Sequence, residues 1–186
     1  MNRLPPNSVR GQVRAWIEKH AAGLGDDVLE VGSRMHTPDA WWVVNRDLAR
    51  GQWTGIDMQP GPNVDVVADL HDPPDEWIGR FSGVVLSEVL EHVRNPWTAL
   101  VRLRALMQPG ALLIVTVPFC FPRHAFPDDF YRFTESGLRA VLEVSGYKDV
   151  ATANSGPNVA FALNDHGERG LIRRQEPLHT FAVARA

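Results

Sequence analysis

The stretch Val28-Leu29-Glu30-Val31-Gly32-Ser33 is an apolar run interrupted by one acid and closed by a glycine and a small polar residue. A second apolar run, Trp53-Thr54-Gly55-Ile56-Asp57, follows it and ends on a carboxylate. A strand, a tight glycine turn, a helix and a second strand tipped with an acid is how doubly wound α/β sheets grip the ribose of an adenine nucleoside. The pattern therefore points to a nucleoside-type cofactor.

Outward from that unit, the same alternation continues. Upstream, Asn7 to Leu24 has Val9, Val13, Trp16, Ile17 and Ala21 at helical spacing, with Gly23 and Gly25 to end it. Strands are expected at Asp27–Val31, Gln52–Asp57, Val64–Ala68 and Phe81–Leu86, with a helix between the first two over Asp39–Leu48, capped by Thr37 and opened by Pro38. Pro73–Ile78 suits a short helix. Asn95-Pro96 starts a helix over Trp97–Met107, and Ala111–Pro118 is apolar on both faces, the mark of a strand buried in the middle of a parallel sheet. Thr134 caps a helix over Glu135–Ser145. Tyr147–Ala153 and Leu178–Ala184 read as closing strands, the last antiparallel, and the polar stretch Asn154–Pro177 reads as loop. The order is a helix, five strand–helix units and a strand pair. That predicts an α/β, single-domain, Rossmann-like doubly wound sheet over residues 1–186, mostly parallel with a terminal antiparallel strand, its N-terminal helix in 1–25 and its core in 26–186.

Composition removes several function classes. With 44% hydrophobic and 22% charged residues, the 186-residue chain has an ordinary globular make-up. A net charge of −3 supplies no field for a phosphate backbone, so nucleic acid is an unlikely partner. Cys120, the one cysteine, excludes an internal disulfide and a cysteine zinc cluster. No apolar run reaches the length of a membrane span, and a cytoplasmic enzyme without membrane contact is expected.

The motifs now taken together resemble the class I S-adenosylmethionine (SAM)-dependent methyltransferases, small-molecule type, across roughly residues 26–147. Val28–Ser33 resembles that family's first motif. Asp57 matches its ribose acid, and Ala68-Asp69-Leu70 the segment whose acid meets the adenine amino group. Ser87-Glu88-Val89-Leu90-Glu91-His92-Val93 resembles its motif after the fourth strand, and Met107-Gln108-Pro109-Gly110-Ala111-Leu112-Leu113 its turn before the fifth. The resemblance implies SAM as cofactor and Glu30, Gly32, Ser33, Asp57, Met58, Asp69, Leu70, Ser87 and Glu88 as its contacts. One departure stands out: Gly32 is followed by Ser33-Arg34-Met35-His36-Thr37 rather than by further glycines. A nicotinamide enzyme needs close-approach glycines around a pyrophosphate, which this loop does not offer; SAM has no phosphate and does not need them.

Glu88, Glu91 and His92 stand at i, i+3 and i+4, on one face of any helix that begins near Glu88. The spacing is similar to the metal site of small-RNA 2′-O-methyltransferases and ubiquinone-pathway O-methyltransferases, with His124 as a further ligand. Relatives without metal carry the same residues as pocket lining and helix cap, so a divalent ion is admitted but not expected. The Pro122–Thr134 segment, which includes Arg123, Phe126, Asp129, Phe130, Arg132 and Phe133, follows the fifth strand and is expected to line the acceptor pocket. His92, His124, Asp128 and Tyr131 are the candidates to take or position the acceptor's proton. Trp41, Trp42, Trp53 and Trp97 suit core packing, and Arg169, Arg173 and Arg174 a solvated loop. The expected activity is transfer of a methyl group from SAM to an oxygen or nitrogen of a small-molecule acceptor by in-line displacement. The alternatives are a metal-assisted nucleotide or RNA-end O-methyltransferase, and a binding module that has lost SAM. Acceptor and oligomeric state are unknown at this level.

Overall fold

The computed structural model describes residues 8–35, 45–124, 128–155, 157–162 and 172–186. Helix α1 (Val9–His20) is capped by Ser8, whose Oγ accepts from the Gly11 amide. Strands β1 (Asp27–Val31), β2 (Gln52–Asp57), β3 (Val66–Val67) and β4 (Phe81–Ser87) follow. Helix α2 (Pro96–Leu106) leads into β5 (Met107–Pro118), then come α3 (Glu135–Val144), β6 (Lys148–Asn154), β7 (Pro157–Ala162), β8 (Ile172–Pro177) and β9 (His179–Arg185). Asn95 caps α2 with Pro96 at its first turn, and Thr134 caps α3, both as their residue types dictate.

Seven strands form one sheet in the order β3-β2-β1-β4-β5-β9-β6. The first five are mutually parallel, and β9 runs antiparallel between β5 and β6. Adjacent residues of the central strands serve opposite faces. On one face Val84, Leu86, Leu113, Val115 and Val117 pack with Leu100, Leu103, Leu138 and Leu142 of α2 and α3. On the other, Val28, Trp53, Val85, Leu112 and Ile114 pack with Ile17 of α1. The sheet is thus covered on both sides, which is why its middle strands are apolar throughout.

Several expectations are corrected. Asn154–Pro177 is not all loop, since β7 and β8 pair there as an antiparallel hairpin. Strand β3 is two residues long, Val66–Val67, shorter than the Val64–Ala68 expected, and the turn expected at Gln59–Asn63 joins it to β2. Arg46–Leu48 is a 3-10 turn, as are Asp75–Trp77 and Leu90–His92. Thr37, Pro38 and the start of the helix expected after β1 lie outside the described residues, as do Trp41, Trp42 and Arg169. No helix among the described residues is long and apolar enough to cross a membrane.

Candidate active site

Because β1 to β5 are parallel, their carboxyl ends open on one edge of the sheet, and the candidate residues gather there. At the tip of β1, Gly32 has φ +71°, and a Cβ added there would lie 2.4 Å from Val89 Cγ2. Only glycine lets the β1 loop pass this close to the segment after β4. The amides of Gly32 and Ser33 both donate to the Ile56 carbonyl, at 2.9 and 3.0 Å, which ties the loop to β2. Asp57, the last residue of β2, accepts the Gln59 amide at 2.9 Å and retains lone pairs on both oxygens. Met58 beside it is largely exposed. Asp69, exposed beyond β3, accepts the backbone and ring nitrogens of His71, which hold its carboxyl below the ordinary range against the opposing effect of burial.

Three of the proposed cofactor contacts, Glu30, Ser33 and Leu70, are buried in the protein, and a fourth, Ser87, is half-buried. Glu30 is 2% exposed and takes hydrogen bonds from Asn45 Nδ2 (2.7 Å), the Asn45 amide (3.3 Å), Trp53 Nε1 (2.9 Å) and Asn63 Nδ2 (3.4 Å). Burial still pushes its carboxyl up, with those bonds acting the other way. Ser33 is buried against Gly55, where an added Cβ would meet its Oγ at 2.7 Å. Leu70 is part of the larger core. Ser87 faces Thr116 of β5, hydroxyl to hydroxyl, at 2.8 Å.

After β4 the chain departs from the helical expectation. Glu88 has φ +54°, a left-handed conformation rare for a residue with a side chain, and the 3-10 turn begins only at Leu90. Glu88 therefore does not share a face with Glu91 and His92. Instead its Oε2 lies 2.8 Å from Nε2 of His179, the first residue of β9. His179 was not singled out from the sequence; the proximity of residues 91 positions apart leaves no local signal.

Glu91, His92 and His124 do come together. Glu91 is fully buried, and neither of its oxygens has a hydrogen-bond partner. Burial, and then the negative charge of Glu88, push its carboxyl well above the ordinary value. Nε2 of His92 is 3.6 Å and Nε2 of His124 3.9 Å from Glu91 Oε1. The rings meet edge to face with centroids 5.0 Å apart. Nδ1 of His92 faces the Asp128 carbonyl, which can only accept, so that nitrogen carries the proton and Nε2 is free. His124 Nδ1 likewise faces oxygens, Pro122 O at 3.4 Å and Asp129 Oδ2 at 3.7 Å.

The described residues of the Pro122–Thr134 segment, which exclude Phe126, hold this arrangement. Asp129 pairs with Arg132 and accepts the His124 amide at 2.9 Å. Amides of Phe130 and Tyr131 donate to the Glu91 carbonyl at 2.7 and 3.3 Å. Of the four proton-handling candidates, Tyr131 spends its hydroxyl on the Arg94 carbonyl at 2.9 Å, and Asp128 is exposed, contributing its backbone to His92.

Comparison with known proteins gives this edge of the sheet a family. Residues 8–152 match the family described as a methyltransferase domain. A ubiquinone biosynthesis O-methyltransferase of Erwinia tasmaniensis is 30% identical over 112 residues, 51% of this chain but only 44% of that one. The fold is similar to a SAM-dependent methyltransferase of Archaeoglobus fulgidus at TM-score 0.68 and 15% identity, over 96% of this chain and 95% of the other. It is also similar to the Burkholderia thailandensis 1,6-didemethyltoxoflavin-N1-methyltransferase, solved with S-adenosylhomocysteine, at TM-score 0.63 and 18% identity over 96% and 78%. Strand order, the glycine-tipped β1 and the matched span agree, and the chain belongs to the class I SAM-dependent methyltransferases.

Proposed function

We propose that the chain moves the methyl group of SAM to an oxygen or nitrogen of a small-molecule acceptor by in-line displacement at the methyl carbon. The observation that carries this reading is the common edge of Gly32, Asp57 and Asp69 on one side and the buried, unpartnered Glu91 carboxylate on the other. The first group suits an adenosine: a carboxylate at the β2 tip accepts two ribose hydroxyls, and the glycine turn at the β1 tip brings its loop close to the segment after β4. The second lies across β4 and β5, where an acceptor would approach. The cofactor's sulfonium supplies the leaving group. The chain's own part is then alignment and exclusion of water, which well-oriented systems turn into about 7–11 kcal/mol. Phe121, Phe130 and Phe133 are suited to wall the reacting atoms from solvent, with His92 or His124 to receive the acceptor's proton through a free Nε2.

Calorimetry with SAM and S-adenosylhomocysteine is the test. Both are expected to bind, and incubation of SAM with a panel of phenols, catechols and amines is expected to release S-adenosylhomocysteine. No heat and no thermal shift with either ligand would leave a fold without its activity.

A second reading, metal assistance, is favoured by the geometry at Glu91. Ligands held about 2.1 Å from one ion lie roughly 3–3.5 Å apart, and the three donor atoms of Glu91, His92 and His124 already lie within 4.8 Å of one another. Both imidazoles turn Nε2 toward Glu91 and have an oxygen behind Nδ1, the usual outer support of a ligating histidine. The donor set fits a borderline divalent ion, zinc or manganese, better than magnesium. Glu88, which the sequence spacing had grouped with these three, is paired with His179 instead. When bound, such an ion would lower the pKa of an acceptor hydroxyl. Removal by chelator and return of Mn²⁺, Zn²⁺ or Mg²⁺ tests it: recovered turnover and a raised melting temperature are expected, and indifference of both to the chelator would discard the ion.

A further inference from the structure

The pairing of Glu88 with His179 is unexplained by fold or family. His179 is 3% exposed, and its backbone is fixed on both sides by Ser155, whose hydroxyl accepts its amide at 3.0 Å and whose own amide donates to its carbonyl at 2.9 Å. Its ring sits between Phe121 and Phe181, with centroids 5.6 and 6.5 Å away. Nε2 meets the carboxylate oxygen of Glu88 and must bear the proton. On the other partner, the Glu88 amide is held by the Thr116 carbonyl at 2.9 Å, and the residue stays in a left-handed conformation that is costly for a side-chain-bearing residue. Strain of this kind persists only where the surroundings hold it, and it concentrates at binding sites.

What the arrangement leaves over is Nδ1 of His179, buried beneath the rings, and one oxygen of Glu88. Glu88 Oε1 is buried with no hydrogen-bond partner. Buried carboxylate oxygens are paired in folded proteins, and with no donor to it among the described residues, this one suits a donor brought by a ligand. The nearby guanidinium, Arg132, is engaged with Asp129, and neither oxygen of Glu91 hydrogen-bonds to Glu88. The missing partner must bring N–H or O–H groups. Its class follows from the side of the sheet: Asp57 ends β2 and Asp69 lies just beyond β3, whereas Glu88 turns from β4 toward β9, across β5. That is the acceptor's side of the strand edge, not the adenosine's.

We propose that His179 is a positioning residue that presents the free oxygen of Glu88 to an N–H or O–H of the methyl acceptor, so that the site selects acceptors with a cationic or hydrogen-donating head over anionic ones. The inference rests on the methyltransferase reading above and adds the acceptor's class. Glu88, assigned to the cofactor by resemblance, becomes the group that touches the acceptor.

Benzylamine and benzoate, alike in shape and opposite in charge, are the probes. Each is titrated into the S-adenosylhomocysteine-saturated protein, with the ring resonances of His179 followed by NMR of histidine-labelled chain. Benzylamine is expected to shift those resonances and to bind at least tenfold more tightly than benzoate. Glu88→Gln and His179→Phe should each bring the two affinities within twofold, read from ligand-side saturation transfer where the histidine is absent. His179→Gln, whose amide N–H falls near the position of Nε2–H, should restore part of the preference. A purely structural histidine would lower the melting temperature in its variants and leave the preference intact, which overturns the proposal. So does benzoate binding as tightly as benzylamine, or neither probe moving His179. Failure of S-adenosylhomocysteine to bind the unaltered chain would remove the methyltransferase site, and this subsite with it.

Discussion

Glu30 is a charge set where charge is costly, and its four donors explain how it survives. A carboxylate at the end of a buried strand loses its water and must recover it from the protein. Asn45 and Asn63 come from the segments flanking β2 and Trp53 from β2 itself, so one side chain gathers the connections on both sides of the cofactor loop. The acid was legible in the sequence. Its partners were not, because an asparagine in a polar stretch carries no sign of what it faces. Gly32 is the opposite case, since the glycine after an apolar run announces its turn directly. Gly32→Ala puts a methyl group into Val89 at a positive φ, and we expect a loss of at least about 1–2 kcal/mol in a denaturant titration. Asp57→Ala should cost less in that titration than Gly32→Ala, because its half-buried carboxylate accepts only the Arg34 amide at 3.4 Å and the Gln59 amide at 2.9 Å, but should weaken SAM binding by about 1.5–3 kcal/mol, the scale of lost hydrogen bonds to a charged group. Calorimetry separates the two, and an unaltered affinity in Asp57→Ala would refute the ribose assignment.

At the scale of elements, strands were the most legible. Asp27–Val31 and Gln52–Asp57 match their expected bounds because apolar runs between turn residues leave few alternatives. The segment after β4 was misread for a physical reason: a spacing of i, i+3, i+4 counts as one face only if the helix has already begun, and a left-handed Glu88 delays it. The loop over Glu91 is held instead by an ion pair. Arg132 lies against Asp129 and keeps its carboxyl well below the ordinary carboxylate range, with burial opposing. A depressed acid stabilises the folded state above its unfolded pKa, about 3.9, and that contribution fades as pH falls toward the folded value. Asp129→Asn should therefore cost about 3 kcal/mol at pH 7, within the range for breaking a mostly buried pair, with the gap to the unaltered chain narrowing only below about pH 4. A gap that widened in acid would reverse the assignment. His124 should lose its fixed orientation in the same variant, visible as broadening of its ring resonances.

For the whole molecule, the decisive step is the return of the chain into its own sheet. β9 enters between β5 and β6, completing ladders with both, and its alternate residues feed both layers: Ala182 and Ala184 the larger core, Val183 the smaller. The apolar pattern of Leu178–Ala184 revealed a strand, yet nothing local says that it inserts rather than adds at the edge. The two partners lie far apart in sequence, so the pairing is slow to find and each ladder is incomplete without it. Thr180 marks the junction: fully buried, it donates to the Phe133 carbonyl at 2.8 Å and so fastens the end of the Pro122–Thr134 segment to β9. Because His179 is the first residue of the same strand, completing the sheet and assembling the acceptor side of the site are one event. Thr180→Val keeps the volume and removes only that donor, leaving a buried carbonyl unpaired at a cost of about 1–3 kcal/mol. Loss of the fastening should loosen Phe133 and the loop before it more than β1 and β2, so acceptor affinity should fall further than SAM affinity. Hydrogen exchange checks the claim: faster exchange at the Phe130 and Tyr131 amides with Gly32 unchanged is the expected pattern, and uniform acceleration across the sheet would mean that β9 acts on the fold alone.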